Sequence, residues 1–109
     1  MKSEVFFADE KLKASFEHLK QSKTEDKTLY EWIDRAMSDL AKDAFCGIQI
    51  PKRLIPKEYV IKYRIDNLWK YNLPNAWRLL YSVGNDGVMV ISILVEWMDH
   101  KDYERRFKY

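Results

Sequence analysis

A chain of 109 residues, 47% hydrophobic and 33% charged, is long enough to bury a core as one domain and too apolar to be disordered. The net charge is +2, and the single Cys46 excludes an internal disulfide and a cysteine-based zinc site. One lone cysteine makes a reducing, cytoplasmic setting the expectation.

The first residues, "MKSEVFFADEKLK", contain no apolar core of the length a signal peptide needs. "SEVFFAD" (3–9) is short, aromatic and β-branched, and reads as a first strand. Asp9 then offers an N-cap, and Leu12, Phe16 and Leu19 fall on one helical stripe to about residue 22. After the polar turn "QSKTEDK", Thr28 and Glu31 have capping-box spacing. Leu29, Ile33, Met37, Leu40 and Ala44 continue one face to Cys46, where Gly47 is expected to stop the helix. The two segments make a helical hairpin, acidic outside and apolar inside.

"GIQIPKRLIPK" (47–57) is a proline-punctuated connection. "PKEYVIKYRID" reads as a short helix begun by Pro56, with a strand as the alternative. Three strands follow, at about 67–73, 77–83 and 88–96. The run "VMVISILVEW" (88–97) is about half the ~20 residues that span a bilayer as a helix, so it is read as a buried strand and no membrane partner is expected. Charge is uneven along the chain. Residues 1–46 hold eight basic and ten acidic groups, residues 47–95 seven and three, and residues 96–109 four of each. A cationic middle is a mild indication of a polyanionic partner.

Three-residue hairpin loops at 74–76 and 85–87 set a register. Asn72 then lies opposite Arg78, Gly84 opposite Val88 and Arg78 opposite Leu94, with Gly87 supplying the left-handed residue. One face collects Trp69, Tyr71, Leu73, Trp77, Leu79, Tyr81, Val83, Met89, Ile91, Ile93, Val95 and Trp97, a surface suited to the helical hairpin. The other collects Leu68, Lys70, Asn72, Arg78, Leu80, Ser82, Val90, Ser92, Leu94 and Glu96. The expected fold is therefore a two-layer α+β domain over 1–109. Its N-terminal strand and helical hairpin pack on one face of an antiparallel sheet (β-α-α-β-β-β, with an extra short helix near 56–64), and the other face is left open.

The order of elements, with "NLWKYNLPNAWRLLYSV" and "VMVISILVEWMDHKDY", resembles the RelE/ParE superfamily of bacterial and archaeal toxins. The match is to the hairpin that ends in an aromatic-Arg-aliphatic-aliphatic-Tyr segment, here "WRLLY", followed by a strongly apolar strand and a short "HKDY" tail. Its diagnostic part is residues 67–103. The resemblance implies a microbial RNase fold. RelE-like members cleave mRNA in the ribosomal A site and are held inactive by a cognate antitoxin, whereas ParE-like relatives inhibit DNA gyrase. By motif position Arg78 matches the strand arginine that contacts phosphate, and Lys70 a basic residue on the preceding strand. The C-terminal acid/base or aromatic positions fall near His100, Lys101 and Tyr103. The usual second arginine after the last strand is absent from "EWMDHKDY", and the second helix and the 47–66 connection are long.

RNA cleavage without a metal needs a base for the 2′-hydroxyl, cationic donors for the phosphoryl oxygens and an acid for the leaving 5′-oxygen. Arg78 suits the second role, because a guanidinium holds phosphate bidentately. Its alternative is an ion pair with Glu96, diagonal to it in this register. Lys70 adds phosphate charge or serves as base, or is a solvated surface group. His100 is an acid or base candidate, or a surface residue. Tyr103 stacks on a base or donates a proton, or packs beneath the tail. Lys52, Arg53, Lys57, Lys62 and Arg64, interleaved with Tyr59 and Tyr63, together with Lys101, form a candidate RNA-binding rim.

No Gly-rich phosphate loop, Ser-His-Asp order or metal-ligand spacing occurs in the sequence, so neither cofactor nor metal is expected. The partners expected are a cognate antitoxin, the ribosome and mRNA, with no DNA bound by this chain alone. Leu68, Leu80 and Leu94 on the open face would suit an antitoxin helix or strand. A non-catalytic, protein-binding member of the same fold, gyrase inhibitor or degenerate toxin, is the second reading.

Overall fold

The structure is a computed structural model and describes residues 1–107. The chain runs β1 (Ser3–Phe7), α1 (Glu10–Lys20), α2 (Glu25–Lys42), β2 (Ile48–Gln49), a 3-10 turn (Lys52–Leu54) and α3 (Lys57–Tyr63). It continues through β3 (Trp69–Asn72), a second 3-10 turn (Pro74–Ala76), β4 (Arg78–Asn85), β5 (Val90–Met98) and α4 (His100–Phe107). The sheet has five strands in the order β1-β5-β4-β3-β2, with β1 parallel to β5 and the other pairs antiparallel. This is the α+β layout the sequence pattern implies, with the helical hairpin packed on the sheet. β1, however, joins the sheet as an edge strand, and its parallel pairing makes the sheet mixed, not antiparallel. Among the described residues no helix is long and apolar enough to cross a membrane.

Asp9 caps α1 as expected, its carboxylate accepting from the Leu12 amide at 2.8 Å. The α2 boundaries differ from the sequence expectation. Thr24, not Thr28, is the N-cap, and the helix ends at Lys42, before Gly47. Gly47 is required for a different reason. A Cβ there would lie 2.5 Å from the Tyr81 hydroxyl and 2.6 Å from the Lys70 carbonyl. The Gly47 amide donates to the Tyr81 hydroxyl at 3.0 Å, and that hydroxyl donates to the Ala44 carbonyl at 2.9 Å. The chain leaving α2 is thereby fastened to the centre of the sheet.

The first hairpin forms as read, with Asn72 opposite Arg78 and the Leu73 amide bonded to the Trp77 carbonyl. The second does not. Asp86 accepts from the amides of Val88 and Met89, both at 2.9 Å, so the loop takes in residues 86–89 and Gly84 pairs with Ile91 instead of Val88. Gly87 does adopt the left-handed backbone, at φ +90°. Farther along, Leu80 pairs with Glu96 and Tyr81 with Leu94, which leaves Val95 as an extra residue, a β-bulge. An odd shift turns a strand over and the bulge turns it back. Trp97 and Glu96 therefore keep their expected faces, whereas Val90, Ser92 and Leu94 move to the helical-hairpin side and Val95 to the side of Arg78. Arg78 lies opposite Met98, not Leu94. Ser92 is buried beneath the hairpin, 2.9 Å from the Ser3 hydroxyl, which donates to the Leu40 carbonyl at 2.7 Å.

The second face of the sheet is also covered. On the hairpin side Phe16, Leu29, Ile33, Ala36 and Leu40 pack on Leu73, Leu79, Tyr81 and Leu94. On the other side Leu68, Leu80, Val95 and Met98 are buried under Ile50, Tyr59, Ile65, Tyr103 and Phe107. The cover is built from the 47–66 connection with α3 and from α4, whose Tyr103 and Phe107 (i, i+4) point the same way. The expectation of an open face is thus corrected. Leu68 and Leu80 are fully buried by the chain itself, and Leu94 belongs to the other core.

Candidate functional site

Alternation along β4 puts Arg78 and Leu80 on the α4 side, and Lys70, paired with Leu80, shares that side from β3. Both cations converge on one ring. Lys70 Nζ is 5.1 Å and Arg78 Cζ 5.2 Å from the centroid of Tyr103, within cation–π range. Tyr103 is 2% exposed and stacks on Phe107 at 4.6 Å, so the ring is anchored from below and carries charge on its flank. Three of the four residues expected to carry chemistry therefore meet, although they lie far apart in sequence.

The ion pair suggested for Arg78 is not formed. Glu96 accepts from the Tyr59 hydroxyl at 2.5 Å and from Arg106 Nη1 at 3.3 Å, and Arg106 also reaches the Tyr59 hydroxyl at 3.0 Å and Glu58 at 3.4 Å. Arg78 has a long bond from Nη1 to the Trp77 carbonyl, 3.3 Å, and among the described residues no carboxylate within ion-pair distance. Its Nε is buried and has no hydrogen-bond partner among them. A half-buried guanidinium held by a ring face, with no anion beside it among the described residues, is a costly arrangement. It leaves N–H donors for a phosphate, with Lys70 adding charge beside it.

His100 opens α4 and is exposed, 2.9 Å from Glu104 one turn along the helix. Lys101 is also exposed. Lys52 and Arg53 lie exposed in the 3-10 turn, Lys57 and Lys62 on α3, and Arg64 caps α3 in the left-handed conformation at φ 54°. The tyrosines interleaved with them pack toward the second core. Tyr59 is buried against Phe107 and offers no open face for stacking, and Tyr63 is half-buried against Tyr59 with Lys62 Nζ 5.1 Å from its ring centre. Among the described residues no cluster of three or more His, Cys, Asp or Glu could hold a metal ion.

Sequence reasoning passed over Arg106. It anchors α4 to α3 and β5 through Tyr59, Glu58 and Glu96. Burial opposes its charge, but those neighbours more than offset it and raise its pKa, while burial and then the bond to Glu96 raise that of Tyr59. The available signal was "YERRF", in which Tyr103 and Phe107 mark the apolar side of a helix that the tail reading did not assign.

Comparison of the chain with protein-family models, with curated proteins and with solved structures finds no match.

Proposed function

We propose that this chain is a RelE-like toxin, an endoribonuclease acting on ribosome-bound mRNA and neutralised by a cognate antitoxin. The observation that carries the reading is the convergence of Arg78 and Lys70 on Tyr103, with no carboxylate within ion-pair distance of Arg78 among the described residues. In this reading Arg78 binds the scissile phosphate through two N–H groups and stabilises the charge that grows on its oxygens. Lys70 supplies a second positive charge, and Tyr103 holds both cations in place. His100 serves as acid or base after exchanging Glu104 for substrate. The exposed Lys52, Arg53 and Lys101 raise the local concentration of RNA.

A second reading, a non-catalytic protein-binding member of the fold, is favoured by one observation: Tyr103 is buried and packs as a core residue. Induced expression of wild type and Arg78→Ala, with growth and mRNA 5′ ends followed together, separates the two. Nuclease action requires growth arrest with new 5′ ends, both lost in Arg78→Ala. Arrest with intact mRNA supports the protein-binding reading.

A further inference from the structure

The start of α2 and the Pro74–Ala76 turn enclose a cleft of about 310 Å³, whose lining includes Glu25, Asp26, Leu29, Trp32, Asn75 and Trp77. Trp32 and Trp77 are half-buried against the hairpin core. Among the described residues neither indole stacks on another aromatic ring or carries a cation. Glu25 and Asp26 stand exposed beside them, and among the described residues neither carboxylate forms an ion pair or accepts a hydrogen bond. The neighbouring cations do not enter the lining. Residues 23–32 hold three acids (Glu25, Asp26, Glu31) against Lys23 and Lys27, and both lysines are exposed outside the cleft. The Arg35 charge acts on Tyr71, and Arg78 lies on the opposite side of the sheet at Tyr103.

We propose that this cleft binds a guanidinium group, with its flat face against the indoles and its N–H groups on Glu25 and Asp26. Indole faces favour a planar, weakly hydrated cation over a compact ammonium. The carboxylates and the Asn75 side-chain oxygen are acceptors for N–H donors, which a quaternary ammonium does not have. A metal ion would leave the indoles unused, and among the described residues no group of three or more His, Cys, Asp or Glu could hold one. RNA phosphate is repelled by the two carboxylates. Two sources carry the guanidinium: an arginine side chain within a peptide, and a free guanidino compound. The assignment is independent of the Arg78 site, since it uses neither Lys70 nor Tyr103.

The test is an NMR titration of the full chain that follows the indole N–H signals of Trp32 and Trp77. The probes are N-acetyl-arginine methylamide, free arginine and N-acetyl-citrulline methylamide, whose ureido group keeps the shape without the charge. The capped arginine is expected to shift both indole signals saturably, and the citrulline compound to leave them in place. Glu25→Gln and Asp26→Asn, both at exposed positions, are together expected to weaken binding about three- to tenfold, the loss of two surface ion pairs. Free arginine binding at least as tightly as the capped form supports a small-molecule ligand, and weaker binding supports an arginine within a peptide. The inference is overturned if neither arginine probe shifts the two indoles saturably, or if the citrulline compound shifts them as arginine does. It is equally overturned if the double variant binds as wild type does.

Discussion

Arg78 lies with its guanidinium carbon 5.2 Å from the ring centre of Tyr103, and that contact replaces the ion pair with Glu96. A half-buried arginine with no anion among the described residues contributes little to the fold. Arg78→Met should therefore leave stability within about 1 kcal/mol of wild type, or raise it. Urea denaturation checks this. A loss of several kcal/mol would mean that Arg78 is structural.

Tyr103 should behave in the opposite way. Removing a buried ring that packs on Phe107 leaves a cavity, so Tyr103→Ala should cost about 3–5 kcal/mol, while Tyr103→Phe keeps the packing and the ring face and costs far less. The difference between the two variants in the same denaturation experiment is the informative quantity. Equal losses would show that the hydroxyl, not the ring, supports α4.

How much of this was legible depends on which residues set the geometry. Leu12, Phe16, Leu29, Ile33 and Leu40 recur at helical spacing, and Trp77, Leu79, Tyr81 and Val83 alternate, so the hairpin and β4 could be read directly. The Asn72–Arg78 pairing followed from the Pro74–Ala76 loop. The second register depended on Asp86 accepting from two loop amides and on the Val95 bulge, neither of which shows in an unbroken apolar run. The cover over the second face depended on α4, whose apolar side consists of Tyr103 and Phe107 among charges. Lys70, Arg78 and Tyr103 were identifiable as separate candidates. Their meeting was not, because it requires that helix to fold back over β3 and β4.

Gly47 should tolerate no side chain. The Cβ of Gly47→Ala would meet the Tyr81 hydroxyl at 2.5 Å and the Lys70 carbonyl at 2.6 Å, and backbone cannot give way as a flexible side chain would. A loss of about 1–3 kcal/mol is expected, the usual range for overpacking. Adding Tyr81→Phe should not restore it, since the Lys70 carbonyl stays in place and the Gly47 amide and Ala44 carbonyl lose the hydroxyl that joins them. Full restoration would show that the hydroxyl alone sets the constraint.

Asn67 bonds to the edge of β4 as a strand would. Its side chain accepts from the Val83 amide at 2.9 Å and donates to the Val83 carbonyl at 2.8 Å. Asn67→Ala leaves both groups without this partner and should cost about 1–3 kcal/mol. Hydrogen exchange provides a local readout: the Val83 amide should lose protection while the centre of β4 keeps it.

Alkaline pH should unfold the protein. Burial, and then the bond to Asp39, push the Tyr71 hydroxyl up to about 12 from an ordinary value of 10, and burial raises Tyr59 and Tyr81 as well. A raised pKa means that the folded state keeps its proton where the unfolded state has lost it. The stabilising contribution is whole below about pH 10 and declines as pH rises through 12. Tyrosinate absorbance should therefore appear late and together with unfolding, and Tyr71→Phe should reduce the alkaline loss. Early, non-cooperative titration of every tyrosine would contradict this.

The central claim, that Arg78 serves RNA phosphate chemistry, is tested most directly by incubating purified protein with mRNA on stalled ribosomes and mapping 5′ ends by primer extension. Wild type should cut the mRNA within the ribosome. Folded Arg78→Ala should cut it about 10²–10³-fold more slowly, the loss typical of one transition-state charge donor. Intact mRNA with wild type, or equal cleavage by Arg78→Ala, would contradict the account.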